Sequence, residues 1–263
     1  MLEIRDLHVK FHNRDRKAVA GISLTIGEGE IVGLVGESGS GKTVTAMSVA
    51  GLLPRRQCEL RGDILLDGED LLHAERSALR QLHGKRIGVV FQQPMSAMDP
   101  LMRVGKQVEE VLTIHTDLDA AARREKALQA MQAVELRDPE TVYGKYPHEL
   151  SGGMLQRAMI AAAIVIEPRL LLLDEPTTAL DVTIQAQILE LLKKLNREKG
   201  ISMLFISHNL KVVRKLCSRV AVMQKGELVE TGDTDEVFFH PRHPYTQRLI
   251  DAIPRRDGKR RLA

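Results

Sequence analysis

The chain is 263 residues long with a formal charge of +3 and 43% hydrophobic residues, enough to bury a substantial core in one large domain or in a core with a smaller appendage. Its longest apolar run, Ala158–Ile166, covers nine residues against the roughly 20 of a membrane-spanning helix, and the charged start Met1-Leu2-Glu3-Ile4-Arg5-Asp6 lacks the apolar stretch of a secretory signal. Neither bilayer spanning nor export is therefore expected, and with 3% aromatic residues a broad nucleic-acid surface is not expected either.

Residues 1–35 alternate apolar and polar positions in short bursts, Leu2, Ile4, Leu7 and Val9, then Ile22, Leu24 and Ile26, which predicts sheet strands broken at Gly27-Glu28-Gly29. Ile31–Val35 is apolar throughout, the pattern of a strand buried on both faces. A helix is predicted after the glycine-rich stretch that follows, running to about Leu53, where Pro54 stops it. Leu170–Leu173 before Asp174, and Ile201–Ile206 before Ser207-His208, repeat the buried-strand pattern. Between them Ile184, Ile188, Leu191, Leu192 and Leu195 keep helical spacing until Gly200. Strand, helix, strand predicts a parallel α/β sheet. From about 93 to 165 no β-branched runs occur and Asp119–Val134 is Ala-rich, which predicts a helical insertion. Residues 219–231 read as a hairpin turning at Gln224-Lys225-Gly226, and 232–263 as a small appendage with little periodicity. Cys58 and Cys217 lack metal-ligand spacing and are read as packing residues of a reducing compartment. Arg255, Arg256, Lys259, Arg260 and Arg261 against Asp257 give the last ten residues a local +4, which suits a solvated end or a weak attraction to anionic lipid headgroups.

Gly36-Glu37-Ser38-Gly39-Ser40-Gly41-Lys42-Thr43 follows the first buried strand and opens a helix. Glycines at this spacing let backbone N–H groups converge on phosphate oxygens, Lys42 adds a point charge and the Thr43 hydroxyl suits Mg2+. The segment is a complete loop for the phosphates of ATP, with Thr45 counted beside it. Asp174 and Glu175 end a buried strand, where one carboxylate reaches Mg2+ and the other orients or deprotonates a water. Helix capping by Asp174 and an exposed loop position for Glu175 are the plain alternatives. His208, after the third buried strand, is placed to bond a γ-phosphate or is an ordinary satisfied histidine. Leu150-Ser151-Gly152-Gly153-Met154-Leu155-Gln156 sets Ser-Gly-Gly at a helix start, a second anion-binding arrangement or an N-cap that Ser151 explains by itself.

In this order the motifs resemble the nucleotide-binding subunit of an ABC transporter over nearly the whole chain. The resemblance implies an α/β fold in a single ABC ATPase domain, 1–263. Its P-loop NTPase core, with a mostly parallel sheet and an N-terminal antiparallel β-subdomain, spans 1–92 and 166–231; a helical subdomain is inserted over 93–165, and a C-terminal appendage covers 232–263. It makes Gly36–Thr43 the Walker A loop, Gln92 the Q-loop, Leu150–Met154 with Gln156 the signature, and Asp174 with Glu175 Walker B. Ala179, Leu180 and Asp181 become the D-loop and His208 the switch histidine. Glu175, His208, Lys42 and Gln92 are then the catalytic set, and Thr43, Gln92 and Asp174 the Mg2+ ligands. In the family's head-to-tail dimer, Lys42 of one subunit and Ser151 of the other enclose one ATP. Phe11 is the nearest candidate for stacking on adenine, where the usual tyrosine is missing; strand packing is its other reading.

Met154 stands where a polar residue is usual, and yet it, the stretch Gln92–Pro100 and His243-Pro244-Tyr245-Thr246-Gln247-Arg248-Leu249 resemble the oligopeptide, dipeptide and nickel importer branch. Without a cysteine-bearing extension before Ala263, the sequence leans toward the short nickel-import type. His240-x-x-His243 is read as part of the branch motif rather than as a metal site. The implied partners are a second ABC ATPase subunit, a paralogue before a second copy, two transmembrane permease subunits and an extracytoplasmic substrate-binding protein, with no nucleic acid. The implied place is the cytoplasmic face of the cell membrane. A soluble ATPase of DNA repair or translation usually carries two cassettes or a long coiled coil, and an exporter ATPase carries fused membrane spans; neither pattern is present.

Overall fold

The computed structural model describes residues 1–75, 79, 82, 85–178 and 180–253. In chain order the elements begin β1 (Leu2–Phe11), β2 (Val19–Ile26), β3 (Ile31–Val35), α1 (Lys42–Val49), β4 (Cys58–Leu66), β5 (Glu69–Asp70) and β6 (Ile87–Val90). Five helices follow, α2 (Pro94–Ala97), α3 (Val104–His115), α4 (Ala120–Ala133), α5 (Pro139–Gly144) and α6 (Gly152–Ile164). The chain continues through β7 (Leu170–Asp174), α7 (Val182–Lys199), β8 (Ser202–Ser207), α8 (Leu210–Leu216), β9 (Arg219–Gln224), β10 (Glu227–Asp233), α9 (Thr234–Phe239) and α10 (Pro244–Asp251). Two compact units result, Met1–Ala74 with the chain from Met203 onward, and Glu75–Ser202. Among the described residues no helix is long and apolar enough to cross a membrane.

In the first unit β2-β1-β4-β5 form an antiparallel sheet, as the alternation over 1–35 predicts. Leu2, Ile4, Leu7 and Val9 all face its core, although the register shifts between Ile4 and Leu7. Asp6 takes a left-handed φ of 46° within that irregularity, which restores Leu7 to the buried face. The same unit contains parallel strands: β3 pairs with β8 on one side and β9 on the other, and all five β3 side-chain positions are buried. A Cβ on Gly33 of β3 would lie 2.5 Å from Val213 Cγ1 and 3.2 Å from Cys217 Sγ, so glycine there sets how closely α8 packs on the strand.

The second unit pairs β6 and β7 in parallel and carries the helices α2 to α7, in keeping with the helical character expected past residue 93. Asp119 caps α4, its Oδ1 accepting from Ala122 N at 2.8 Å. Buried Arg157 on α6 donates to Val134 O at 2.6 Å and Glu135 Oε2 at 3.3 Å, and so anchors α6 to the end of α4. Gly200, left-handed at φ 65°, terminates α7 where the sequence places the stop.

Two expectations differ from the structure. The helix α1 ends at Val49 rather than near Leu53, because Gly51 adopts φ 61° and its N–H turns back to Ser48 O, closing the helix before Pro54 is reached. The segment after 232, expected as an appendage with little periodicity, forms two helices: Asp233 caps α9 through Asp235 N at 2.9 Å, and Pro244 opens α10. Each of these helices spans about two turns, too short to print a hydrophobic period. The basic tail and Ala179 of the expected D-loop lie outside the described residues.

Candidate nucleotide-binding site

In the first unit the loop 36–41 joins the end of β3 to the start of α1, and two of its glycines are required by close approaches. Gly36 (φ 153°) has Met223 O 2.1 Å from where a Cβ would stand, and Gly41 (φ 112°) has Ala18 O at 2.5 Å. The β9–β10 turn braces the loop further, Gly226 N donating to Ser40 O at 2.9 Å. Lys42, only 5% exposed, donates from Nζ to Glu37 O at 2.8 Å, Gly36 O at 2.9 Å and Ser40 Oγ at 3.4 Å. A buried ammonium held by loop oxygens places positive charge at the N-terminus of α1, where the helix dipole also favours an anion. Glu37, Ser38 and Gly39 are exposed at the tip, as is Thr43, while Thr45 is buried and its Oγ1 donates to Gly41 O at 3.1 Å. Thr45 thus steadies the helix start rather than offering its hydroxyl to solvent.

His208 is exposed directly after β8, in the turn where Asn209 N donates to Ser207 Oγ at 3.0 Å. Phe11 is half-buried at the end of β1, with the Arg14 guanidinium 5.8 Å above its ring. Phe11, His12, Asn13, Arg14, Arg56 and Gln57 line a pocket of about 320 Å3, so this ring borders open space instead of being packed away. His243 Nδ1 accepts from Tyr245 N at 3.2 Å, which makes His243 the cap of α10.

In the second unit Asp174 ends β7 as a residue only 5% exposed, and Glu175 follows in a left-handed conformation at φ 47°. Non-glycine residues seldom adopt that region, and such strain gathers at functional positions. Glu175 Oε2 accepts from Gln92 Nε2 at 3.1 Å and from Thr178 Oγ1 at 2.9 Å. These bonds aim the carboxylate, and Thr178 is a participant that sequence reasoning missed, since Pro-Thr-Thr after an acidic pair looks like an ordinary turn. Within this unit Asp174 and Gln92 carry hard oxygen donors of the kind Mg2+ accepts, and in the first unit the exposed Thr43 carries a hydroxyl of the same kind.

Ser151 caps α6, its Oγ accepting from Met154 N at 3.4 Å, so the helix start expected there forms. A Cβ on Gly153 would stand 2.8 Å from Ile184 Cγ2, and on Gly152 3.8 Å from Leu180 Cδ2, which sets the start of α6 against the turn that precedes α7. Leu150 and Met154 flank the two glycines, and Gln156 is buried at 1% exposure. Asp181 caps α7 through Ile184 N at 2.9 Å.

One contact to the phosphate loop was not legible in the sequence: Tyr245 of α10 accepts from Glu37 N at 3.0 Å through its hydroxyl. Burial pushes that hydroxyl above its ordinary range, against the lowering effect of the Glu37 N–H, so it stays protonated.

A loop of this construction, followed in the same chain by an acidic strand end, is the arrangement of an ATP-binding cassette, and comparison with known proteins agrees. The family model described as ABC transporter matches residues 19–178, and the one described as oligopeptide/dipeptide transporter, C-terminal region, matches residues 229–263. The chain is 48% identical to the probable D,D-dipeptide transport ATP-binding protein DdpD of Escherichia coli (strain K12), over 100% of this chain and 81% of that relative. It is 44% identical to the oligopeptide transport ATP-binding protein OppD of Bacillus subtilis (strain 168), over 97% of this chain and 72% of the relative. The dimeric structure of a post-hydrolysis state of the ATP-binding cassette MJ0796 bound to ADP and Pi superposes with a TM-score of 0.79 at 29% identity, covering 89% of this chain and 99% of that one. The chain belongs to the ABC transporter family, as an ATP-binding and ATP-hydrolysing subunit with the α/β cassette fold.

Proposed function

We propose that this chain drives the uptake of di- or oligopeptides, as the ATPase of an importer whose other parts are a second ATPase subunit, two membrane permease subunits and an extracytoplasmic binding protein. The observation that carries this is the pairing, in one chain, of the cassette match over 19–178 with the oligopeptide/dipeptide C-terminal match over 229–263. The names of the relatives favour peptide over the nickel cargo toward which the sequence leans. Its place is the cytoplasmic face of the membrane. The exposed apolar side chains Met95 (54%) and Leu101 (86%), around α2 in the second unit, suit contact with an apolar partner such as a permease loop.

In this reading 1–92 with 166–231 is the catalytic core, 93–165 the helical subdomain and 232–263 the appendage. The loop Gly36–Thr43 binds the phosphates, Phe11 stacks on adenine, and Ser151 with Gly152 and Gly153 of a partner subunit closes over the γ-phosphate. Mg2+, held by Thr43, Asp174 and Gln92, supplies charge neutralisation when bound. Glu175 orients the attacking water and accepts its proton, while Lys42 and His208 stabilise charge spreading over the transferred phosphoryl group. Leu180 and Asp181, with Ala179, line the dimer contact. Gln92, bonded to Glu175, links events at the carboxylate to the helices that follow it.

The test is reconstitution with the cognate permease subunits and binding protein in vesicles. Peptide-stimulated ATP hydrolysis that is lost in Lys42→Ala is the expected result. Stimulation by nickel but not peptide would overturn the cargo assignment, and recovery of the chain only with ribosomes or DNA would overturn transport.

A further inference from the structure

We propose that Tyr245 is a positioning residue for the phosphate-binding loop, through which the C-terminal appendage sets the affinity of the site for polyphosphate. The inference rests on the reading of Gly36–Thr43 as the phosphate site. The peptide unit joining Gly36 to Glu37 is held at both ends. Its N–H, that of Glu37, donates to Tyr245 Oη at 3.0 Å, and its carbonyl, that of Gly36, accepts from Lys42 Nζ at 2.9 Å. A rotation of this one peptide therefore moves the oxygen that steadies the Lys42 ammonium.

The hydroxyl that prevents such a rotation is itself firmly placed. Tyr245 is 2% exposed, and its backbone N–H donates to His243 Nδ1 at 3.2 Å. Glu230 of β10 fastens the strand-to-helix connection just before it, accepting from Arg242 N at 2.8 Å and His243 N at 3.1 Å. A route of hydrogen bonds thus runs from Glu230 through the start of α10 and Tyr245 to Glu37 and Lys42, all within the first unit. Pro244 at the first helical position adds a fixed φ, which limits how far the ring can drift.

Tyr245→Phe removes only the oxygen and keeps the buried ring. The Glu37 N–H then lacks its partner, and the arrangement in which Gly36 O faces Lys42 becomes one of several. If that arrangement falls to about one-fifth of the population, the apparent dissociation constant rises about fivefold.

The experiment measures equilibrium binding of a fluorescent ATP analogue to the full chain, with inorganic triphosphate as competitor, for the native protein, Tyr245→Phe, Lys42→Ala and Val237→Ala. Val237 is buried on α9 and serves as a packing control. The expected result is a three- to tenfold weakening of both ligands in Tyr245→Phe, equal for the two because the effect lies at the phosphates, with Val237→Ala unchanged despite a lower Tm. Affinity in Tyr245→Phe within twofold of native would overturn the proposal, as would an equal weakening in Val237→Ala, which would mark the effect as general destabilisation. If the native chain fails to bind triphosphate, or Lys42→Ala binds as well as native, the phosphate-site reading fails instead, and the two failures are told apart.

Discussion

Glu175→Gln isolates the chemical role of one carboxylate, because the structure keeps everything else in place. Glu175 Oε2 accepts from Gln92 Nε2 at 3.1 Å and from Thr178 Oγ1 at 2.9 Å. A carboxamide oxygen at the same position accepts both, so the side chain keeps its aim while the bonds lose their charge-assisted strength. The left-handed φ of 47° is no harder for glutamine than for glutamate. The chemical function removed is proton acceptance, which contributes ~100- to 10,000-fold, or about 3–5 kcal/mol of barrier. Steady-state phosphate release should fall by that factor, whereas the equilibrium dissociation constant for ATP should stay within about twofold, since binding lost equally from ground and transition states would appear in it. A kcat within about tenfold of native, at unchanged ATP affinity, would refute the assignment of Glu175 as the base.

Three further outcomes follow from local geometry. Gly33→Ala places a methyl 2.5 Å from Val213 Cγ1 at the contact between β3 and α8, and chemical denaturation should show a loss of about 1–3 kcal/mol with overpacking as the cause. Asp119→Ala deletes the acceptor for Ala122 N and should destabilise α4 by ~1 kcal/mol, which a thermal melt reads as roughly 2–4 °C. Burial pushes the Glu230 carboxyl up, but the N–H groups of Arg242 and His243, which donate to its two oxygens, outweigh it and hold the group below its ordinary 4.5. A depressed carboxylate adds stability that is complete above pH 4.5 and is lost as pH falls through the lower folded value. Glu230→Gln should therefore be less stable than native at pH 7 and show a flatter decline below about pH 4.5; parallel curves for the two proteins would contradict this.

Much of the core was legible because it is encoded in contiguous segments. Ile31–Val35 and Leu170–Leu173 are apolar at every position and Ile201–Ile206 at every position but Ser202, the pattern of strands that bury both faces. Ser151 and Asp181 stand where their oxygens reach N–H groups three residues on, so their helix starts are decided within one turn of chain. The short helices α9 and α10 carry no legible period because each spans about two turns, and the proline at 54 overstates α1 because Gly51 ends the helix first.

The sequence by itself determined the phosphate loop, since Gly36, Gly39, Gly41, Lys42 and Thr43 act through backbone conformation and a helix start that eight consecutive residues supply. Only the tertiary structure decided what steadies the groups around it. Gln92 meets Glu175 across 83 residues of chain, and Tyr245 meets Glu37 across 208. Local propensity carries no information about such pairs; they are fixed by which strands pair in parallel, by where each strand ends, and by how closely the buried Tyr245 ring packs beside the phosphate loop.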